Sequence, residues 1–145
     1  MRTVCFVSAL VGMLLGCGAQ SHSRSLAHID GNHIVIDRNI HFDNDSAVLS
    51  SVSSDVIHDV ASILHVTPAV RVVHVVGHTD ETGDSQHNQE LSHGRAEAVA
   101  HALRADGVTQ TIDARGVGET EQLCSEDTDA CNGRNRRVEF LLEYR

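Results

Sequence analysis

Apolar positions recur along this chain with two periods, and the switches between them mark out its elements. From His33 to Phe42, the residues Ile34, Ile36, Ile40 and Phe42 share one parity, a strand pattern. Val48 to Leu64 changes to spacings of three and four through Val48, Leu49, Val52, Val56, Ile57, Val60, Ile63 and Leu64. That stripe predicts an amphipathic helix, which Pro68 ends. Val70 to Val76 is a Val-rich run that reads as a buried strand, and Gly77 to Asn88 is a polar loop. A second helical stripe runs from Leu91 to Leu103, with Gly107 just past it as a C-cap. Thr111–Arg115 and Arg136–Tyr144 complete the set as strands. The predicted order is β-α-β-α-β-β, an α+β class with helices packed on a mixed sheet.

The first residues follow a different logic. Arg2 precedes an apolar run from Val4 to Leu15, too short to span a bilayer, which needs about 20 helical residues. The run ends in Leu14-Leu15-Gly16-Cys17, which resembles the bacterial lipoprotein signal. That resemblance implies that residues 1–16 are removed and that Cys17 becomes the acylated first residue. Gly18, where an Asp would retain the protein, then permits export to the outer membrane. The alternative is an ordinary secretory signal. Residues 17–28 read as the lipidated N-terminus and a short tether, and 29–145 as one domain. The eleven residues 18–28 reach at most about 35–40 Å.

Composition narrows the choice of function. The chain has 145 residues, 20 acidic and 11 basic, for a net charge of −9, and every basic residue is Arg. This argues against nucleic acid as a partner, which calls for a basic face. Aromatic residues make up only 3% and Trp is absent, which argues against a sugar groove or base-stacking groove built on aromatic platforms. Cys124 and Cys131 remain once Cys5 leaves with the leader and Cys17 carries lipid. In an exported chain they read as a disulfide, whereas a metal pair is usually spaced more tightly.

The most informative stretch is Gly77-His78-Thr79-Asp80-Glu81-Thr82-Gly83, followed by Asn88 and by Leu91-Ser92-His93-Gly94-Arg95-Ala96. With Phe42-Asp43, Gly107-Val108, Gly116-Val117-Gly118-Glu119 and Asn135-Arg136-Arg137-Val138, it resembles the OmpA-like peptidoglycan-binding family. Members of that family include the C-terminal domain of OmpA, the lipoprotein Pal and the motor protein MotB. The resemblance covers roughly residues 33–145. It implies a two-layer sandwich that holds diaminopimelate of the wall peptide between an Asp and an Arg, here Asp80 and Arg95. Thr82, Asn88, Asp45 and Arg136 match supporting positions, with Asp45 standing where some relatives have Asn.

The chemistry of these residues agrees. Diaminopimelate presents an ammonium and a carboxylate, so its receptor needs one fixed anion and one fixed cation. Asp80 lies in a loop after a strand, and the planar fork of Arg95 suits a carboxylate. Arg95 is expected near the start of its helix, where backbone dipoles favour an anion. The plainer readings are a salt bridge between Asp80 and Arg95, helix capping by Asn88, a solvated strand end at Arg136, and a simple turn at Gly116–Gly118.

Eleven histidines invite a metal site, but no H-E-x-x-H or His-plus-Cys pattern appears. No cofactor and no enzyme activity are expected. The expectation is a lipid-anchored outer-membrane protein, its domain in the periplasm, that ties membrane to peptidoglycan. A metal-dependent wall hydrolase and a component of a Tol-type complex are the alternatives. The lack of a long N-terminal membrane helix argues against a stator like MotB.

Overall fold

The computed structural model describes residues 25–145. The leader, the lipidation at Cys17 and most of the tether lie outside the described residues. Five strands, β1 (Ala27–Asp30), β2 (His33–Ile36), β3 (Val70–Gly77), β4 (Thr111–Gly116) and β5 (Val138–Tyr144), form one sheet in the order β1-β2-β5-β3-β4. Only β3 and β4 run parallel. The crossover that a parallel pair demands is helix α2 (Ser85–Ala105). Helix α1 (Ser54–Val66) joins it on the same face, so this is the two-layer α+β sandwich with a mixed sheet.

The core lies between the layers. Val56, Val60 and Leu64 of α1 and Val99 and Leu103 of α2 meet Val73, Val75, Phe140 and Leu142 of the sheet, all nearly or fully buried. Each such side chain contributes about 1.5–3 kcal/mol on leaving water. Thr67 ends α1 by donating its hydroxyl to the Ile63 carbonyl, just before Pro68.

Several boundaries differ from the expected ones. Strand β1 begins at Ala27, inside the segment read as tether, and a Gly31-Asn32 turn folds it onto β2. Ala27 is buried, and the Leu26 amide donates to Asp59 Oδ2 at 2.6 Å. The run 33–42 is not one strand: β2 stops at Ile36, and Phe42 forms only a single bridge with Leu49. Val48 and Val52 are exposed, because α1 proper starts at Ser54, after one 3-10 turn over Ser51–Ser53. A further helix, α3 (Asp129–Asn135), separates β4 from β5. The order is therefore β-β-α-β-α-β-α-β.

Two glycines fix how α2 sits on the sheet. Gly77 and Gly116 face each other across the β3–β4 ladder at the end of both strands. A Cβ on Gly77 would overlap the Ser92 carbonyl, and one on Gly116 would overlap Ser92 Oγ and the His93 amide. The helix thus packs backbone to backbone on this glycine rung, a close approach only Gly permits. The Ser92 hydroxyl closes the contact by accepting the Gly118 amide at 2.9 Å.

Candidate functional site

Asp80, Arg95 and Arg136 all border one depression of about 610 Å³ at the end of β3. Its walls are the β2–α1 loop, the loop after β3, α2 and α3. Asp45, Thr82 and Asn88 border it as well. The six binding positions proposed from sequence are thus brought together.

Asp80 is buried, and each of its carboxylate oxygens accepts one hydrogen bond from the protein. Arg136 Nη1 donates to Oδ2 at 2.5 Å and the Thr82 amide donates to Oδ1 at 3.0 Å. Burial by itself pushes this carboxyl up, but the bonds from Arg136 and Thr82 outweigh it and hold the group below its ordinary value. Asp80 is therefore a preformed anion. Its partner is Arg136 and not Arg95, which corrects the reading of an Asp80–Arg95 salt bridge.

Arg95 is positioned by other means. Its Nε donates to the Ser46 carbonyl at 3.1 Å, and its guanidinium lies 5.2 Å from the centre of the Phe42 ring. Among the described residues it has no carboxylate partner. Burial, followed by the nearby Arg136 charge, pulls it below its ordinary value, although a guanidinium stays protonated in any protein. Arg95 sits near the middle of α2, not near its start, because the helix begins at Ser85. Helix-end dipoles therefore act on the Asp80 loop and not on Arg95.

Asn88 is not a cap: Asp84 caps α2 by accepting the His87 amide. The buried Asn88 amide instead donates to the Thr82 carbonyl at 3.1 Å and to Glu119 Oε2 at 2.7 Å. It ties the Asp80 loop to the turn after β4. Arg136 is not a strand end either. It follows α3 as that helix's C-cap, and this places its side chain over Asp80. Asp45 adopts a left-handed backbone with φ 48°, and its carboxylate accepts from His87 Nε2 at 2.7 Å. That bond raises the His87 imidazole above its ordinary value.

One support, the clamp made by Asn135, escaped the sequence reading. Asn135 accepts the Leu123 amide at 2.9 Å and donates to the Cys124 carbonyl at 3.0 Å, clamping the loop beside α3. Its place in the Asn-Arg-Arg-Val motif was the available signal. Cys124 and Cys131 are disulfide-bonded in the same loop, with Cα atoms 5.8 Å apart. Cys124, Glu126 and Cys131 are the one group of three possible metal-binding side chains found close together among the described residues, and the disulfide occupies both sulfurs. His74, His58 and His87 lie instead against Asp113, Asp106 and Asp45.

A mixed five-stranded sheet backed by two helices, with a polar depression walled by loops at one sheet end, defines a small α/β-sandwich binding domain. The sequence profile of the OmpA family matches residues 41–136, and the chain belongs to that family. It is 30% identical over 150 aligned positions to the peptidoglycan-associated lipoprotein of Pasteurella multocida, covering 99% of this chain and 98% of that one. It is 36% identical to the probable lipoprotein YiaD of Escherichia coli K12 over 77% of this chain. It spans about half of YiaD, 52% of its length. Among solved structures, the peptidoglycan-associated lipoprotein of Burkholderia pseudomallei superposes with a TM-score of 0.65 at 29% identity, over 73% of this chain and 90% of that one.

Proposed function

We propose that this protein is an outer-membrane lipoprotein that grips peptidoglycan noncovalently through diaminopimelate and so ties the membrane to the wall. The observation that carries the reading is Arg95, a half-buried guanidinium without a carboxylate partner among the described residues, bordering the same depression as the preformed Asp80 anion. A zwitterionic ligand end supplies what the site lacks: a carboxylate for Arg95 and an ammonium for the acidic side formed by Asp80 and Asp45. Thr82, Asn88 and Arg136 hold that arrangement. The names of the relatives, two of them peptidoglycan-associated lipoproteins, support the same reading. The role is structural and not catalytic. Acylated Cys17 would supply the membrane anchor, since several acyl chains bind a bilayer stably where one does not.

Sedimentation with purified sacculi tests the wall contact. Wild type is expected to co-sediment, and Arg95→Ala and Asp80→Ala to remain in the supernatant. Equal binding by all three would overturn it. Mass spectrometry of the native N-terminus tests the anchor separately: an acylated Cys17 is expected, and a mature chain starting elsewhere rules it out.

A further inference from the structure

Helix α2 turns one face to the β2–α1 loop through His87, Gly94 and Arg95, the last two lying seven and eight residues after the first. Three contacts hold the loop there. Arg95 Nε donates to the Ser46 carbonyl at 3.1 Å, and a Cβ on Gly94 would stand 3.1 Å from the Ala47 Cβ. The third is His87 Nε2, which donates to Asp45 Oδ1 at 2.7 Å. This contact joins two side chains that are both more than half exposed. His87 and Asp45 also border the depression shared by Asp80 and Arg95. A ring nitrogen therefore already sits on one of the two acids assigned above to a ligand's ammonium.

The two acids differ in how they are held. Asp80 accepts from Arg136 and from the Thr82 backbone, and neither donor loses its proton near neutral pH. Asp45 accepts from His87, the one side chain bonded to it among the described residues. His87 can carry a charge. Asp45, followed by Glu90 and Asp84 on its own helix, raises the imidazole above its ordinary value. Asp80, Asp129, Arg95 and Arg136 are the other charged groups around the depression. A protonated His87 presents an N–H donor and a positive charge, the two features of an ammonium. Like charges at one carboxylate repel, so the ring and an ammonium compete for Asp45.

We propose that His87 is the resident occupant of the ammonium half of the site, holding Asp45 while the site is empty and yielding it to the ligand's ammonium. This rests on the diaminopimelate reading and adds a specificity residue to it. A cationic group displaces the ring, whereas a ligand whose amine is acylated carries no charge there and leaves the ring in place. Displacement is linked to a proton. The charged ring opposes an incoming ammonium, and the neutral ring gives way with the loss of one hydrogen bond. Acid therefore weakens the grip on a cationic end.

His87→Gln keeps a donor for Asp45 and removes the titration. NMR of the full-length protein in detergent follows the His87 ring against pH, alone and with a soluble diaminopimelate muropeptide. Calorimetry measures muropeptide affinity at about pH 6 and pH 8. The ring is expected to titrate above 6.5 in the free protein and at a lower pH with the muropeptide bound. From pH 8 to pH 6, wild-type affinity is expected to fall about 2- to 5-fold more than that of His87→Gln, the range an exposed ion pair supplies. A muropeptide acetylated on its diaminopimelate amine is expected to leave the ring titration as in the free protein. Three results would each overturn the role of His87 alone: a ring midpoint unmoved or raised by the bound free-amine muropeptide, an equal shift with the acetylated one, or the same pH dependence in His87→Gln. No muropeptide binding at either pH would overturn the diaminopimelate reading as well.

Discussion

Arg136 Nη1 meets Asp80 Oδ2 at 2.5 Å across 56 residues of chain, so the anion of the site is paired with one of the two arginines that border the same depression. Arg95 is the cation left open. Arg95→Ala is therefore expected to weaken sacculus binding most, by about 30-fold or more, the lower range for losing one partner of a desolvated charge pair. Arg95→Lys keeps the charge but loses the fork and the stacking on Phe42, and is expected to fall between the two. Arg136→Ala should cost binding and also some stability, because it strands the buried Asp80 carboxylate. Sedimentation binding curves, with circular dichroism to check the fold, measure all three.

Gly77→Ala and Gly116→Ala test the glycine rung. Each new methyl group would meet the α2 backbone, which cannot yield as a flexible side chain does. A loss of about 2–3 kcal/mol in unfolding free energy is expected for either, read from urea denaturation. Gly133→Ala, whose Cβ would meet only Arg136 Nη2, at 4.0 Å, serves as the control and should leave stability within about 0.5 kcal/mol or raise it.

What the sequence could and could not disclose follows from how each element is held. Helix α1 and strand β3 were readable because apolar burial alone determines them. The first turns of α2 were not, since Asn88 and Ser92, its buried residues there, are polar and face the loop and the glycine rung, leaving no apolar stripe. Strand β1 carries only four residues, although the Gly31-Asn32 pair between two short runs was a usable hairpin signal. Helix α3 has almost no apolar face and rests on Thr128 as its N-cap, on Asn135 and on the disulfide. Asp80 and Arg95 were legible as site residues through their motif. The pairing of Asp80 with Arg136 was not, because local spacing says nothing about contacts between distant loops.

The disulfide closes a short loop whose far end leads into Arg136. Replacing Cys124 and Cys131 by Ser is expected to lower stability by about 2.5 kcal/mol, the chain-entropy value for so short a loop. Asn135 still clamps the backbone at positions 123 and 124 in that variant, so sacculus binding should fall less than in Arg136→Ala. Denaturant midpoints with and without reductant measure the first effect, and sedimentation the second.

Acid should destabilise the fold in two stages. His78 is pulled below 6.5 by burial and then Arg137, so the unfolded chain takes up a proton that the folded chain refuses. Its contribution is complete above about pH 6.5 and is lost as pH falls below that value. Asp80, also held low, adds stability above 3.8 that disappears at still lower pH. His87, raised by Asp45, works the other way, its contribution being lost as pH rises through its folded value. Denaturant midpoints between about pH 5 and 7 should rise with pH in wild type and rise less steeply in His78→Phe.

The strand register also decides how the molecule responds to force. Ala27 pairs with Ile36 at the end of the sheet where Gly77 meets Val138, so the N-terminal connection leaves beside the candidate site and not opposite it. A pull between the N-terminus and a ligand in the site therefore loads β1 at its open end. Its rungs would open in succession, beginning at Ala27, rather than sharing the strain as in shear. The Leu26 bonds to Asp59 and to the Asp37 amide are the first to take that load. Under such tension β1 would be the first strand to part from the sheet. Its release would lengthen the connection while the other four strands, β2, β5, β3 and β4, stay paired.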